Sequence, residues 1–155
     1  MKKKILNQEE WVKNWSQFQH PSRSSFKLMF STYWDGYVLD PRLMLVPIDD
    51  HQVHRGDAIF EFLKFVGNKI YLLDQHLDRL EISAEKIGMK WPLSRQDLKE
   101  ILHEMIGIAK LEQGGFRLFI SRGAGTFSAN PYDTIGSQFH AILTETKPFP
   151  KEFYE

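Results

Sequence analysis

Between Ala58 and Ile87 the hydrophobic period of the chain changes, and that change limits the fold more than any other feature. Ala58–Val66 is dense in β-branched and aromatic residues and closes at Gly67-Asn68. A strand pattern resumes over Lys69–Leu73, so the segment reads as a hairpin. From Asp74 the apolar positions become Leu77, Leu80, Ala84 and Ile87, one face of a helix, with Asp74 as the expected N-cap and Gly88 as the stop. Ser94 caps a second predicted helix whose stripe is Leu98, Ile101, Leu102, Met105 and Ile108. Upstream, Leu28, Phe30, Thr32 and Trp34 share one side of a predicted strand over Lys27–Trp34. Asp35-Gly36 turns it into Tyr37-Val38-Leu39, Asp40-Pro41 opens another turn, and 46–53 reads as loop. Downstream, Gly114-Gly115 ends the helical region, Phe116–Arg122 is a strand, Gly123–Gly136 a loop and Gln138–Thr144 the last strand. Strands, then two helices, then strands predict an α+β domain with a mostly antiparallel sheet and its helices packed on one side.

That domain is expected to span 26–144. Residues 1–25 form a polar extension in which Trp11, Trp15 and Phe18 fall on one face of a short helix, suited to weak docking or to pairing with another chain. Residues 145–155 begin with Glu145-Thr146-Lys147-Pro148-Phe149-Pro150 and read as the start of an interdomain linker. Lys+Arg and Asp+Glu both number 20, so no excess of charge gathers nucleic acid or an anionic membrane. Cysteine is absent, which removes disulfides, zinc–thiolate sites and cysteine nucleophiles. No apolar run approaches the roughly 18 residues that span a bilayer, and the N-terminus lacks a signal-peptide stretch. A soluble cytoplasmic protein is expected. The 6 histidines show no metal-ligand spacing, and Ser121-Arg122-Gly123-Ala124-Gly125 opens no helix, so it is not a dinucleotide loop.

Three places can carry chemistry. His76 and Arg79 are neighbours on the first turns of the predicted helix, where an arginine beside free backbone N–H groups can hold an anion. Spacing alone favours the alternative, a solvated Arg79 paired with Asp74, Asp78 or Glu81. Arg117 shares a strand face with Phe119 and Ser121, opposite Phe116, Leu118 and Ile120. It suits bidentate capture of a carboxylate in a cleft, and equally a solvent-facing sheet. Glu61 interrupts an apolar strand. If buried it needs a cation, for which Arg55 and Lys64 are candidates; the commoner outcome is a carboxylate facing solvent.

Taken together, Trp34-Asp35-Gly36, His54-Arg55-Gly56-Asp57-Ala58-Ile59-Phe60-Glu61, Leu73-Asp74-Gln75-His76-Leu77-Asp78-Arg79-Leu80 and the Arg-Gly after the later strand resemble the class IV, or fold-type IV, pyridoxal-phosphate enzymes. These include branched-chain aminotransferases, D-amino-acid transaminases and aminodeoxychorismate lyases. The resemblance runs from about Tyr33 to Tyr154. It implies an N-terminal phosphate-anchoring domain, pyridoxal 5'-phosphate as cofactor, amino-acid and 2-oxo-acid substrates, and a homodimer. It assigns Arg79 to the cofactor phosphate through the family's His-x-x-Arg-Leu helix, and it assigns Phe60, Arg117 and Arg55 to the substrate pocket.

Where D-amino-acid transaminases carry an arginine and a histidine, this chain has Phe127 and Ala129, and Gly125–Pro131 is nearer the branched-chain pattern. Arg55 stands where branched-chain enzymes often have tyrosine. The family's Schiff-base lysine lies beyond the linker, and neither Lys147 nor Lys151 matches it, so the chain is expected to lack a catalytic residue and to be inactive alone. A lyase of the same family and a non-catalytic binding domain of the same fold are the rival expectations.

Overall fold

The computed structural model describes residues 3–18 and 21–146. In chain order the regular elements are α1 (Gln8–Gln17), β1 (Phe26–Ser31), β2 (Gly36–Val38), α2 (His51–His54), β3 (Ala58–Val66), β4 (Lys69–Ile70), α3 (Leu73–Lys86), α4 (Arg95–Ala109), β5 (Gln113–Ser121) and β6 (Gln138–Glu145). The strands form one six-stranded sheet in the order β2-β1-β6-β5-β3-β4, and every neighbouring pair is antiparallel. This is the α+β arrangement the sequence predicts. Beyond Glu145 and Thr146 the expected linker, with Lys147 and Lys151, lies outside the described residues.

The sheet has one apolar face because its strands alternate. In the central strand β5, Phe116, Leu118 and Ile120 sit opposite Leu63, Glu61 and Ile59 of β3 and opposite Leu143, Ala141 and Phe139 of β6. Against this face α3 lays Leu77, Leu80 and Ala84, and α4 lays Leu98, Leu102, Met105 and Ile106. Each leucine, isoleucine or methionine among them, once fully buried, contributes about 1.5–3 kcal/mol. Both helices therefore lie on one side of the sheet, and the other side stays uncovered at Phe60 and Phe62.

Several local expectations give way to packing. Residues 46–53 are not all loop, because Asp50 caps the short helix α2 by accepting from the Gln52 backbone N–H. The first hairpin turn is Thr32–Asp35, with the positive φ at Asp35 rather than at Gly36. The second strand of the later hairpin stops at Ile70, and α3 begins at Leu73. Leu73 packs on the core, which draws the helix start forward and leaves Leu72, at φ 49, as an N-cap with no side-chain hydrogen bond. Asp74 is thereby left inside the first turn. In α4 the buried stripe follows Leu98, Leu102, Met105 and Ile106, while Ile108 points outward; at 100° per residue it faces nearly opposite Ile106. Gly114 and Gly115 lie inside β5 rather than ending the helical region. A Cβ on Gly114 would stand 2.7 Å from the Phe65 ring, and one on Gly115 would stand 2.5 Å from the Phe62 ring, so these glycines make room for aromatic rings.

In the extension, α1 is closed by a capping box between Asn7 and Glu10 and stacks Trp11, Trp15 and Phe18 in a row. The Trp15 indole donates to the Arg42 carbonyl, and the Arg23 guanidinium lies 5.3 Å from the centroids of both Trp15 and Phe18. Among the described residues, no helix is long and apolar enough to cross a membrane.

Candidate functional site

Strand β4 covers only Phe65 and Val66 of β3, so among the described residues no strand pairs with the outer edge of β3 before them. Along that stretch period two sends Phe60 and Phe62 to the uncovered face, and Glu61 and Leu63 to the helix face. One short segment thus offers chemistry on both sides of the sheet.

On the helix side Glu61 is only 5% exposed, contrary to the commoner expectation of a solvent-facing carboxylate. Its partners are neither Arg55 nor Lys64. Arg79 donates to it twice, Nε to Oε1 and Nη2 to Oε2, both at 2.5 Å. His76 donates from Nδ1 to Oε2 at 2.8 Å. Burial pushes the Glu61 carboxyl up, but the hydrogen bonds and charges of Arg79 and His76 outweigh it and hold it below the ordinary glutamate range. The acidic neighbours expected to occupy Arg79 are taken from the other helix instead: Arg95 of α4 reaches Asp74, Asp78 and Glu81, and Lys99 reaches Asp74. The Arg79 side chain remains 67% exposed, and its Nη1 makes no hydrogen bond to the described residues. Arg79 is also nearly two turns into α3, so the free N–H groups of the helix start are not beside it.

On the uncovered side, Arg117 lies over the rings of Phe60 and Phe62 at 5.7 and 5.9 Å, and Phe60 packs against Phe119 at 6.5 Å. Phe60 is 61% exposed. The structure therefore brings Phe60 and Arg117 together on the uncovered face, while Arg79 bonds Glu61, the next residue along β3, on the helix face. Arg55 is engaged elsewhere: its Nη1 and Nη2 donate to the carbonyls of Ser128 and Ala129, strapping the loop that follows β5.

The sequence reading missed a buried polar hub beside this face. Fully buried Asp50 accepts from the Tyr33 hydroxyl at 2.5 Å, the Ser121 hydroxyl at 2.7 Å and the Gln52 backbone at 2.8 Å. Burial first, then the Asp50 carboxylate, pushes the Tyr33 hydroxyl above its usual range. Tyr33 stacks on His140, which is buried on the same row as Ser31. A second missed pair is Arg122 with Asp57, bonded at 2.6 and 3.1 Å, which joins the end of β5 to the start of β3. The loop reading of 46–53 passes over Asp50, whose capping of the helix at His51 is the local signal that a sequence can carry for it.

Comparison with known proteins agrees with this architecture. Residues 58–155 match the family described as amino-transferase class IV. The chloroplastic D-amino-acid transaminase of Arabidopsis thaliana is 35% identical over 121 residues, 78% of this chain and 32% of that protein. The D-alanine aminotransferase of Listeria monocytogenes serotype 1/2a is 31% identical over 78 residues, 50% of this chain and 27% of that protein. Among solved structures, the branched-chain amino acid aminotransferase of Escherichia coli superposes with a TM-score of 0.69 at 17% identity, over 80% of this chain and 41% of its own. The chain spans about a third of the length of the curated relatives it matches. It belongs to the class IV aminotransferase family.

Proposed function

We propose that this chain is the phosphate-anchoring part of a pyridoxal-phosphate-dependent aminotransferase that moves an amino group between an amino acid and a 2-oxo acid. The observation that carries the reading is the exposed, always-charged Arg79, held on one edge by buried Glu61 and with donors left over for an anion. Those residues fit the phosphate of pyridoxal 5'-phosphate, which when bound supplies the electron sink that labilises the substrate α-proton. Phe60, with Phe62 and Phe119, offers an apolar surface suited to an aliphatic side chain such as a branched-chain one, and Arg117 offers a guanidinium for the substrate carboxylate. Arg55, which holds the loop at Ser128 and Ala129, can serve a substrate carboxylate only by giving up those two carbonyls. A homodimer belongs to the same proposal, supported by the uncovered aromatic face of the sheet, as does a cytoplasmic location.

The test is a titration with pyridoxal 5'-phosphate of the protein that carries this chain. Arg79→Ala is expected to weaken binding roughly ten- to hundredfold, the worth of a charge-assisted contact, and Arg79→Lys to recover only part. Binding by Arg79→Ala as tight as that of the unaltered protein refutes the assignment. Amino-group transfer assayed with L- and D-amino acids then identifies the substrate series.

A further inference from the structure

We infer that Glu61 is a positioning residue for a phosphate monoester: without touching the ligand, it fixes which edge of Arg79 the ligand meets. This rests on the phosphate reading above and extends it to a residue on a different element.

A guanidinium is planar and carries five donors in a fixed fork. Glu61 occupies the Nε and Nη2 edge with two hydrogen bonds. Nη1, which makes no hydrogen bond to the described residues, is turned away from the carboxylate in the guanidinium plane, while Nη2 also lies 3.5 Å from His76 Nδ1. The anchor is the strand rather than the helix. Glu61 is buried and sits opposite Leu118 on the central strand, whereas the Arg79 side chain is largely in solvent. His76, one turn before Arg79, adds a third bond to Oε2 that keeps the carboxylate from turning. The hydrogen bonds that hold Glu61 ionised keep this arrangement in place at neutral pH.

Two effects of opposite sign follow. An untethered arginine must give up its rotamer freedom when an anion arrives, and ordering one such side chain in advance is worth up to about tenfold in affinity. The Glu61 charge also repels the anion. That repulsion acts from behind the guanidinium and on a side chain open to water, where screening is strong. Orientation therefore outweighs repulsion, and removing the carboxylate weakens phosphate binding although it makes the site more positive.

The experiment compares the unaltered protein with Arg79→Ala, Glu61→Gln and Glu61→Asp. Affinities for pyridoxal 5'-phosphate and for pyridoxal, which lacks the phosphate, are measured by calorimetry. Exchange of the Arg79 Nε–H is followed by nitrogen-15 NMR. Glu61→Gln is expected to lose about tenfold in affinity for the phosphorylated probe with no change for pyridoxal, and to speed exchange of the Arg79 Nε–H. Glu61→Asp, which keeps the charge one methylene short, falls between; it also carries the test if Glu61→Gln does not fold. Equal or tighter binding of pyridoxal 5'-phosphate by both Glu61 variants, with Arg79→Ala weakened, overturns the inference. So does an equal loss for both probes, which is the signature of a purely structural role. If Arg79→Ala itself binds as tightly as the unaltered protein, the phosphate reading fails first.

Discussion

His140 makes stability depend on pH in a window where few carboxylates titrate. It is 1% exposed, its Nδ1 lies 3.0 Å from the Ser31 hydroxyl, and Tyr33 stacks over its ring at 5.5 Å. Its Nε2 has no hydrogen-bond partner among the described residues. Burial pushes its pKa down from 6.5 to about 4, only partly offset by the Asp50 carboxylate. Between those values the unfolded chain binds a proton that the folded chain refuses. The contribution is therefore complete above pH 6.5 and is lost as pH falls toward 4, by up to ~1.4 kcal/mol per pH unit and about 3 kcal/mol in all. Urea unfolding from pH 7.5 to 4.5, on the unaltered protein and on His140→Gln, isolates this term, because the other histidines are common to both. Glutamine can still bond Ser31, so the variant is expected to be modestly less stable at pH 7.5 and to close the gap, or pass the parent, by pH 5. Stability curves that run parallel from pH 7 to pH 5 would show that His140 takes up its proton in the folded state, and would refute the reasoning.

Arg122→Ala is expected to cost about 3 kcal/mol in urea unfolding, because it strands the half-buried Asp57 carboxylate and releases the Ile87 and Gly88 carbonyls. Leu72→Gly should raise the unfolding free energy by up to ~1 kcal/mol, since Leu72 is exposed and its φ of 49 suits glycine without strain; a loss of stability would show that its side chain packs usefully.

The parts of the fold legible in the sequence are those set by local period. The bounds of β3, the row Leu77, Leu80 and Ala84 of α3 and the row Leu98, Leu102 and Met105 of α4 follow from alternation and from 3.6-residue spacing, though Ile87 and Ile108, expected on those faces, are exposed; the Ser94 cap is a contact within one turn. The misread parts are those decided by distant chain. Gly114-Gly115 reads as a breaker until Phe62 and Phe65 are placed on it. Arg79 and His76 stand in sequence among acids, yet their carboxylate comes from 18 and 15 residues upstream, because α4 brings Arg95 to the nearer acids first. The Asp50 hub joins residues 17 and 71 positions apart, a pairing no local pattern encodes.

The glycines of β5 also constrain how the sequence can drift. Phe62 and Gly115 meet on one face of the sheet, and Phe65 and Gly114 on the other, so a side chain gained on β5 requires a ring lost on β3. The two pairs differ in freedom. At position 115 the nearest obstruction is the tip of the Phe62 ring, so a descendant can exchange bulk between 62 and 115 in two steps. At position 114 a Cβ would also fall 2.5 Å from the Thr144 carbonyl, a backbone atom that no substitution removes. Among relatives that keep this strand register, 62 and 115 should therefore covary, while 114 stays glycine whatever stands at 65.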